Sequence, residues 1–530
     1  MPRMPESGAT RPIDGPSERR SLEAKGVAVL KDRLAARIAA LAVAIGLAAE
    51  LLVDRHALGI NVAIVVAAVL AAAVATRPSG RRMDSLDLWL APAALLFAAF
   101  VAIRADTALV TIDVIAAVTL VGASIASLAG AAVTRRTLAA GLLLAAGVSV
   151  AAGLGATAVL NAIRRSAWGR RAPSRRLAIL APIARGILIG FPIVVVFAVL
   201  FAAADPIFAS LAGRTLSFQI NLDEVWARGV VVLGVAWIAA GLLWLVASGD
   251  PELEARSLGA AASAPSMPLR RLGATEALTV LVALDVLFGA FVVLQLAYLF
   301  GGQDTVAAGG LTYANYARRG FFELLAVVVL VGALIGGFES AVTARPRTYV
   351  VAMLLLVGLS AVVLASSFLR LRLYQDTYGW TELRFYVVAS IGFLALSLAA
   401  AAWVVAGDRS RWLPHAVSAA GVVVLIAINA VGPQAYTTAR NLERATDPGT
   451  VSGGVRVPVD TEYLATLQSD AIPELVAAIP QLSSVSRAQV LVSLRQFEER
   501  LDRDAPAGDP AAWNLSRQLA RQALATLPPR

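Results

Sequence analysis

The chain of 530 residues is too apolar for a soluble protein, because 58% of its residues are hydrophobic, 15% are charged and the mean hydropathy is +0.73. A soluble chain carries roughly 25% charged residues to cover its surface. Its 46 basic and 36 acidic residues leave a formal charge of +10, nearly all of it from arginine. Such arginines are typical of loops that orient membrane spans, and nucleic acid is not an expected partner. The composition predicts a multi-pass membrane protein.

The residue inventory excludes several kinds of active site. The chain has no cysteine, which removes disulfides, iron–sulfur clusters, thiolate zinc sites and cysteine nucleophiles. Its two histidines, His56 and His415, stand far apart, which argues against a histidine metal site or a catalytic triad. The only lysines are Lys25 and Lys31, so no phosphate-binding GxxxxGK[ST] loop exists. We expect no cofactor and no metal, and the balance leans away from an enzyme.

The chain order predicts a tail, a long membrane region and a short polar region. Residues 1–34 form a polar, proline-containing N-terminal tail that is expected to be disordered, and residues 35–433 form the transmembrane domain. Apolar runs of about 17–25 residues match the thickness of a bilayer core. We place about twelve spans, within a range of 11 to 13, near 35–53, 57–75, 86–103, 109–132, 138–161, 183–204, 226–247, 277–300, 321–338, 349–369, 383–406 and 415–432.

The composition changes to that of a soluble protein after Gly432-Pro433. Four helices are predicted beyond this point, near 434–446, 460–480, 484–503 and 509–526. Apolar residues at helical spacing between Val490 and Leu501 give the third of them one apolar face. Residues 434–530 are therefore predicted to be a small all-α extramembrane domain, and the fold class to be an all-α polytopic helical bundle.

Arginine placement gives two conflicting orientations. The basic tail and the loop Arg77–Arg82 indicate a cytoplasmic N-terminus, and the arginine-rich loop 163–182 is also expected in the cytoplasm. Five predicted spans separate the tail from that loop, so both cannot lie on one side if all five cross. Either one early segment does not cross, the weakest being 138–161, or the loop is an exception to the rule. The preferred reading puts the C-terminal domain outside.

Polar and aromatic residues concentrate on one predicted side of the membrane. Tyrosine, tryptophan and arginine are enriched at membrane interfaces in general, so simple anchoring is the alternative to a functional cluster. The residues of the cluster are Arg318, Arg319, Glu323, Arg370, Arg372, Tyr374, Tyr378, Glu382, Arg384 and Tyr386.

The charges of this cluster predict a buried network between spans. Glu323 and Arg384 lie inside or at the edge of spans, where an unpaired charge costs a few kcal/mol. Arg319 and Glu323 are four residues apart, as are Glu382 and Tyr386, so each pair shares a helical face. We expect Glu323 to pair with Arg319, Arg370, Arg372 or Arg384.

A second polar feature lies inside one span. Asp285 and Gln295 are ten residues apart, close to three helical turns, and therefore share a face. Such a stripe lines a pathway or forms a hydrogen-bonded seam between helices, and the seam is the commoner case. Glu50, Asp113 and Asn429 are further intramembrane polar residues.

Several of these segments carry a family resemblance. Residues 295–302 and 311–324, the stretch Arg370–Arg384, the segment Ala439–Arg444 and residues 460–473 together resemble the bacterial domain-of-unknown-function 4173 family, related to the 4153 group. The likeness covers roughly 180–480 and is only general over the first five spans. It implies a multi-span core with a short helical C-terminal segment and brings no activity. Where relatives read Ala-Arg-Tyr-Asn this chain has Ala439-Arg440-Asn441, which lacks the tyrosine.

Two functional classes remain open for a protein of the cell membrane with the lipid bilayer as its environment. The first is a transporter- or channel-like protein for a small-molecule or lipid substrate, acting through the buried Arg/Glu/Tyr cluster. The second is a signalling, scaffolding or envelope-assembly protein that binds a protein partner, of unknown identity, through its C-terminal domain. A third, weaker reading is an intramembrane transferase in which Glu323 or Glu382 acts as a base.

Overall fold

A computed structural model describes residues 16–54, 56–81, 83–134, 138–167, 222–249, 273–300, 321–342, 345–446 and 466–528. Within these ranges the protein is an all-α helical bundle. Its helices are α1 (Pro16–Ala49), α2 (Ile60–Thr76), α3 (Leu90–Ile103), α4 (Thr107–Leu128), α5 (Leu138–Ala167), α6 (Leu222–Ser248), α7 (Ala274–Phe300), α8 (Phe321–Ala341), α9 (Arg347–Tyr378), α10 (Glu382–Ala406), α11 (Leu413–Val431), α12 (Pro433–Thr446), α13 (Ile472–Ala478), α14 (Ser484–Asp504) and α15 (Leu515–Leu524).

The described helices match the predicted membrane spans closely. Nine of them are long and apolar enough to cross a bilayer, and two shorter apolar helices span Ile60–Thr76 and Leu324–Glu339. These eleven coincide with eleven of the twelve predicted spans, and the twelfth, 183–204, lies outside the described residues. The all-α polytopic fold is therefore confirmed. The prediction succeeds because an apolar run of this length is enough to locate a membrane helix.

The first helix begins earlier than the apolar run that it contains. Helix α1 starts at Pro16, inside the stretch 1–34 that the sequence predicts to be disordered, and its membrane-spanning part begins at Arg33. Proline is tolerated in the first turn, where its missing N–H has no partner to lose, and the polar residues after it are mostly good helix formers. Residue 34 therefore marks the start of the apolar part of α1 and not the start of helical structure.

The bundle has two apolar cores joined by one helix. The first lies among α1, α2, α4, α5 and α6, and the second surrounds Tyr349 and Met353 of α9, which are fully buried between α7, α8 and α10. Helix α11 packs on α10 and also lays Leu425 and Ile426 against the fully buried Phe97 of α3. It therefore connects the two halves of the protein.

The C-terminal helices cover one end of this bundle, which we call the capped end. At this end the backbone N–H of Ile60, at the start of α2, donates to the carbonyl of Trp513 at 3.0 Å. Asn514 donates to the carbonyls of Val101 at 2.9 Å and Arg104 at 2.7 Å, where α3 ends. Helices α12 to α15 share a small apolar core that also includes Ala57. The polar C-terminal region therefore packs on the loops that join the spans.

The opposite end carries the first basic loop. There Arg81 donates to the carbonyl of Val246 at 2.8 Å, near the end of α6. Helix α5 runs antiparallel to α4, because Leu144 belongs to one cluster with Ala131 while Val148 lies near Gly122, 3.9 Å from where a Cβ on that glycine would be. It therefore heads for the capped end and stops at Ala167. Five helices separate the tail from this point, but residues 168–182 of the arginine-rich loop lie outside the described residues, so the orientation stays a prediction.

Close backbone packing of α5 on α6 gives a testable stability effect. A Cβ added at Gly241 would lie 2.3 Å from the carbonyl oxygen of Ala151 and 2.7 Å from that of Ala152. Gly241→Val should therefore lower the free energy of unfolding by about 1–3 kcal/mol, since the helices must separate. Gly234→Val on the same helix, where a Cβ would meet nothing within 4 Å, is the matched control. Thermal unfolding in detergent measures both, and equal losses would contradict the packing argument.

Candidate functional site

A buried carboxylate from the C-terminal region holds the loop between α3 and α4. Oδ2 of Asp470 accepts hydrogen bonds from the backbone N–H groups of Ala105 and Asp106, each at 2.7 Å. Its Oδ1 accepts from the hydroxyl of Ser516 at 2.6 Å and lies 3.5 Å from Nη1 of Arg104. The Asp470 side chain is only 2% exposed. One carboxylate thus ties α15 and the start of α13 to the ends of two spans.

Arg104 extends this contact to the end of α11. Its Nε donates to the carbonyl of Asn429 at 2.8 Å and its Nη2 to that of Ala430 at 3.2 Å, and Nη2 also bonds to Asn429. The guanidinium lies against Gly432, where φ is +74° and a Cβ would approach Nη1 to 2.5 Å. Glycine at this position lets α11 end in a left-handed residue and leaves room for the arginine.

Asn429 carries the contact into the membrane-spanning region. Its amide Nδ2 donates to Oδ1 of Asp113 on α4 at 2.8 Å and to the carbonyl of Leu425 at 3.1 Å. Both side chains are buried, Asp113 completely. Oδ2 of Asp113 and Oδ1 of Asn429 have no hydrogen-bond partner. Two facing helices therefore hold two unpartnered oxygen acceptors, one of them on a carboxyl group.

A second branch runs from the α3–α4 loop to α10 and α12. Asp106 caps α4 by accepting from the N–H of Ala108 at 2.9 Å, and its other oxygen accepts from the hydroxyl of Tyr386 at 3.1 Å. Tyr386 lies one turn after Glu382, which hydrogen-bonds to the side chain of Gln434. Both residues belong to the predicted cluster, and they face the α3–α4 loop.

Two glutamine side chains close this branch. Oε1 of Gln434 accepts from the backbone N–H of Gln468 at 2.9 Å. The side-chain oxygen of Gln468 in turn accepts from the N–H and the hydroxyl of Thr107, each at 3.0 Å. The two branches together form what we call the buried polar network: Arg104, Asp106, Asp113, Glu382, Tyr386, Asn429, Gln434, Gln468, Asp470 and Ser516.

The network contains more acidic groups than basic groups. Among its described residues it holds four carboxyl groups (Asp106, Asp113, Glu382 and Asp470) and one guanidinium, that of Arg104, which interacts with Asp470 and Asp113. No three acidic or histidine side chains in the described ranges converge as a metal site would require. Buried carboxylates without matching cations are costly, so this arrangement is suited to holding a proton.

Asp106 makes the folding free energy depend on pH. Burial raises the pKa of Asp106 above its ordinary value of 3.8, and the nearby Asp470 adds to the effect. The folded state therefore binds the proton more tightly than the unfolded state, and stability falls as the pH rises from 3.8 through the raised folded-state pKa. Asp106→Asn, which keeps an N-cap side chain, should flatten this part of the profile.

The unfolding midpoints of the wild type and of Asp106→Asn are measured in detergent from about pH 4, near the ordinary pKa of aspartate, to about pH 8. The wild type should lose more stability than the variant on going to the higher pH. Parallel profiles would show that Asp106 titrates normally in the folded protein.

A neighbouring cluster fixes the turn between α9 and α10. The side chain of Asn441 donates to the carbonyl of Trp380 at 2.8 Å and accepts from its N–H at 2.9 Å. Arg384 donates to the carbonyls of Tyr378 and Gly379, and its guanidinium lies 4.4 Å from the ring centre of Tyr374. Asn441 and Arg384 thus hold the turn that begins α10 and so position Glu382 and Tyr386.

The structure brings together only part of the predicted cluster. Arg318 and Arg319 lie outside the described residues, and so do the side chains of Glu323 and Gln295, so the predicted pairing of Glu323 stays a prediction. Arg372 and Tyr378 are exposed, and Arg370 is half-buried. Asp285 is buried on α7 with Oδ1 unpartnered, away from the network.

Sequence reasoning missed the residues that connect the network. In the sequence Arg104 is one of the few charges of the lightly charged loops, and Asp470 indicates only a helix start ahead of Ile472-Pro473. Asp106, Gln434, Gln468 and Ser516 carry no local signal of their role. Asp106 and Asp470 are 364 positions apart, so no spacing rule relates them.

The comparisons with known proteins give a family without an activity. A family model described as a domain of unknown function (DUF4153) matches residues 90–478. The match begins about 90 residues before the resemblance noted in the sequence (roughly 180–480) and includes α3 to α5. It also includes the buried polar network from Arg104 to Asp470, with Ser516 beyond it. No curated protein and no solved structure matches the chain.

Proposed function

Because this chain belongs to the domain-of-unknown-function family DUF4153, whose description assigns no activity, we propose its function from the geometry of the buried polar network. The protein is a transporter- or channel-like membrane protein that handles a small or lipidic solute and exchanges a proton at the network. In this proposal residues 35–433 are the membrane unit and residues 434–530 an extramembrane unit over one end. The finer resemblance to the 4173 family stays a prediction.

The observation that carries the proposal is the Asp113–Asn429 pair on two facing spans. Ionisable residues inside membrane spans are rare because they are costly, and they usually mark ion or substrate pathways. Transporter sites commonly use carboxylates and free carbonyl oxygens where helices end or break. Asp113 and Asn429 supply one carboxyl oxygen and one amide oxygen without partners, next to the end of α11. Glu382 and Tyr386 of the predicted cluster would then lie on the same route.

Water access to this pair tests the proposal without knowledge of the solute. The chain has no cysteine, so single cysteines at Asp113 and at Asn429 report on their own positions. Both sites are at most 2% exposed in this conformation. A protein that opens a pathway should let a small, charged methanethiosulfonate reagent modify Asp113→Cys from the aqueous phase. Ser360→Cys on α9, also fully buried, is the matched control and should stay unmodified.

Reconstituted protein then tests transport itself. Proteoliposomes would be exposed to a panel of small anionic, cationic and neutral solutes while the internal pH and the membrane current are recorded. We expect a solute-dependent proton movement that is lost in Asp113→Asn and kept in Asp504→Asn, an exposed residue of α14. If Asp113→Cys and Ser360→Cys are equally unreactive and no solute moves protons, the transport proposal is wrong. The network then only holds the helices together.

A signalling, scaffolding or envelope-assembly role is the second candidate, and one observation favours it. Val485 and Val492 of α14 are 67% and 59% exposed and lie seven residues apart, on one helical face. An apolar face on an extramembrane helix is suited to a protein partner. Substituting both valines with glutamate separates the two roles, because transport should survive that change while assembly with a partner should not.

A further inference from the structure

The C-terminal helices enclose a cavity outside the buried polar network. It has a volume of about 410 Å³ and lies between the loop that follows α14 and the exposed turns of α15. Its polar lining includes the side chains of Arg517, Gln518, Arg521 and Gln522. All four belong to α15, where residues four apart point the same way, so the two arginines face the cavity from one helical face.

The two guanidinium groups lie in the same cavity, and their positive charges repel each other. Arg517 donates through Nη2 to the carbonyls of Leu58 at 2.6 Å and Ala512 at 2.9 Å. Arg521 donates through Nη2 to the carbonyl of Ala505, and its Nε is buried without a hydrogen bond. Burial and the nearby charge of Arg521 lower the pKa of Arg517. Two like charges this close favour an anion that would bind both.

Two carboxylates lie near the pair: Asp509 lines the cavity and interacts electrostatically with Arg517, and Asp502 lies beside Arg521. Asp509 is engaged by His56, whose Nδ1 lies 2.6 Å from Oδ2, and this hydrogen bond lowers the pKa of Asp509. Its Oδ1 accepts from the backbone N–H groups of Ala511 and Ala512. Asp502 lies 3.6 Å from the Nε of Arg521, but its side chain is 63% exposed and therefore screened by water. The cavity thus holds two guanidinium groups that can bind an anion, beside an Asp509 carboxylate that is already engaged by His56 and by backbone N–H groups.

The cavity lies at the level where the spans meet water. Trp513 is hydrogen-bonded through its carbonyl to Ile60, the first residue of α2. Trp513, which lines the cavity, is 37% exposed, and Leu515 and Leu519 of α15, which do not line it, are 37% and 44% exposed. Tryptophan and leucine next to arginine are typical of surfaces that contact lipid head groups. The exposed apolar residues near the cavity and the guanidinium groups inside it therefore suit different parts of one amphipathic ligand.

We propose that this cavity binds a phosphate group, presented either by an anionic phospholipid or by a soluble phosphate compound, through Arg517 and Arg521. Guanidinium groups bind phosphate oxygens through two parallel N–H···O bonds, a geometry that lysine does not offer. The site is separate from the buried polar network, so its existence does not depend on a transport function.

The test uses the full-length protein, purified and delipidated in detergent. Its unfolding midpoint is titrated with dihexanoyl phosphatidic acid, with dihexanoyl phosphatidylcholine and with inorganic phosphate. We expect saturable stabilisation by phosphatidic acid, with the apparent affinity reduced at least about tenfold in Arg521→Gln and in Arg517→Gln. Arg500→Gln removes the same charge from an exposed position of α14 and should bind as the wild type does.

The outcomes separate the sources of the phosphate. Stabilisation by phosphatidic acid alone indicates a lipid, whereas equal, arginine-dependent stabilisation by inorganic phosphate indicates a soluble ligand. If neither probe saturates, or if both arginine variants bind as the wild type does, the proposal is wrong. Arg521→Lys is the control for misfolding, because it keeps the positive charge and should retain part of the affinity. Each variant must also elute as a single species.

Discussion

Replacing Asp470 with alanine should separate the C-terminal helices from the membrane spans. The change leaves two backbone N–H groups, the Ser516 hydroxyl and the guanidinium of Arg104 without their shared acceptor. Removing one partner of a buried charged contact costs about 3–5 kcal/mol, because the remaining polar groups stay buried. Thermal unfolding in detergent measures the loss, and faster amide hydrogen exchange in α15 locates it.

Two further variants define what the Asp470 result means. Asp470→Asn keeps the shape and one acceptor oxygen, so it should cost less than the alanine variant, about 1–2 kcal/mol. Asp504→Ala removes an exposed carboxylate from the end of α14 and should change little. A result in which Asp470→Ala behaves like Asp504→Ala would mean that the C-terminal helices do not depend on this carboxylate.

Replacing Arg104 with methionine should produce the second large loss, and one that depends on pH. The variant lacks the donors to the carbonyls of Asn429 and Ala430 and the only cation among four carboxyl groups of the described network. We expect the free energy of unfolding to fall by about 3–5 kcal/mol near neutral pH. Without the cation the folded variant holds more protons than its unfolded chain does, so its stability should increase as the pH is lowered.

The controls for Arg104 separate charge from shape. Arg104→Lys keeps the charge but cannot reach several carbonyls at once, and it should fall between the wild type and Arg104→Met. Arg347→Met removes an exposed arginine at the start of α9 and should have little effect at any pH. The denaturation midpoint measured from acid to neutral pH distinguishes them, and a deficit in Arg104→Met that is the same at every pH would argue against the charge imbalance.

The membrane spans could be predicted from the sequence, whereas the polar contacts between them could not. An apolar run of the right length forms a membrane helix whatever surrounds it, so the bounds of α10 and α11 follow closely from 383–406 and 415–432. The polar side chains of Asp113, Asn429, Glu382 and Tyr386 also stand out in the sequence. Their pairing does not, because Asp113 and Asn429 are 316 positions apart and Tyr386 is 280 positions from its partner Asp106.

The role of Asn441 shows the same limit within a recognised segment. The resemblance draws attention to Ala439–Arg444 and to the missing tyrosine beside Asn441. Only the packing of α12 against the α9–α10 turn shows that the amide of Asn441 holds the backbone of Trp380. Residue type alone cannot tell such a clamp from a surface asparagine, since both are polar residues on a short helix.

The contact between Asp470 and the α3–α4 loop also constrains how the chain is made. The two sites are 364 residues apart, and a ribosome adds roughly 5–20 residues per second, so Arg104 and Asp106 wait roughly 20 to 70 s for Asp470. During that time the loop amides of Ala105 and Asp106 are exposed to water and not yet bound to Asp470. A chain truncated before residue 466 never completes this joint. A segment that is synthesised late therefore completes the packing of spans that are synthesised early.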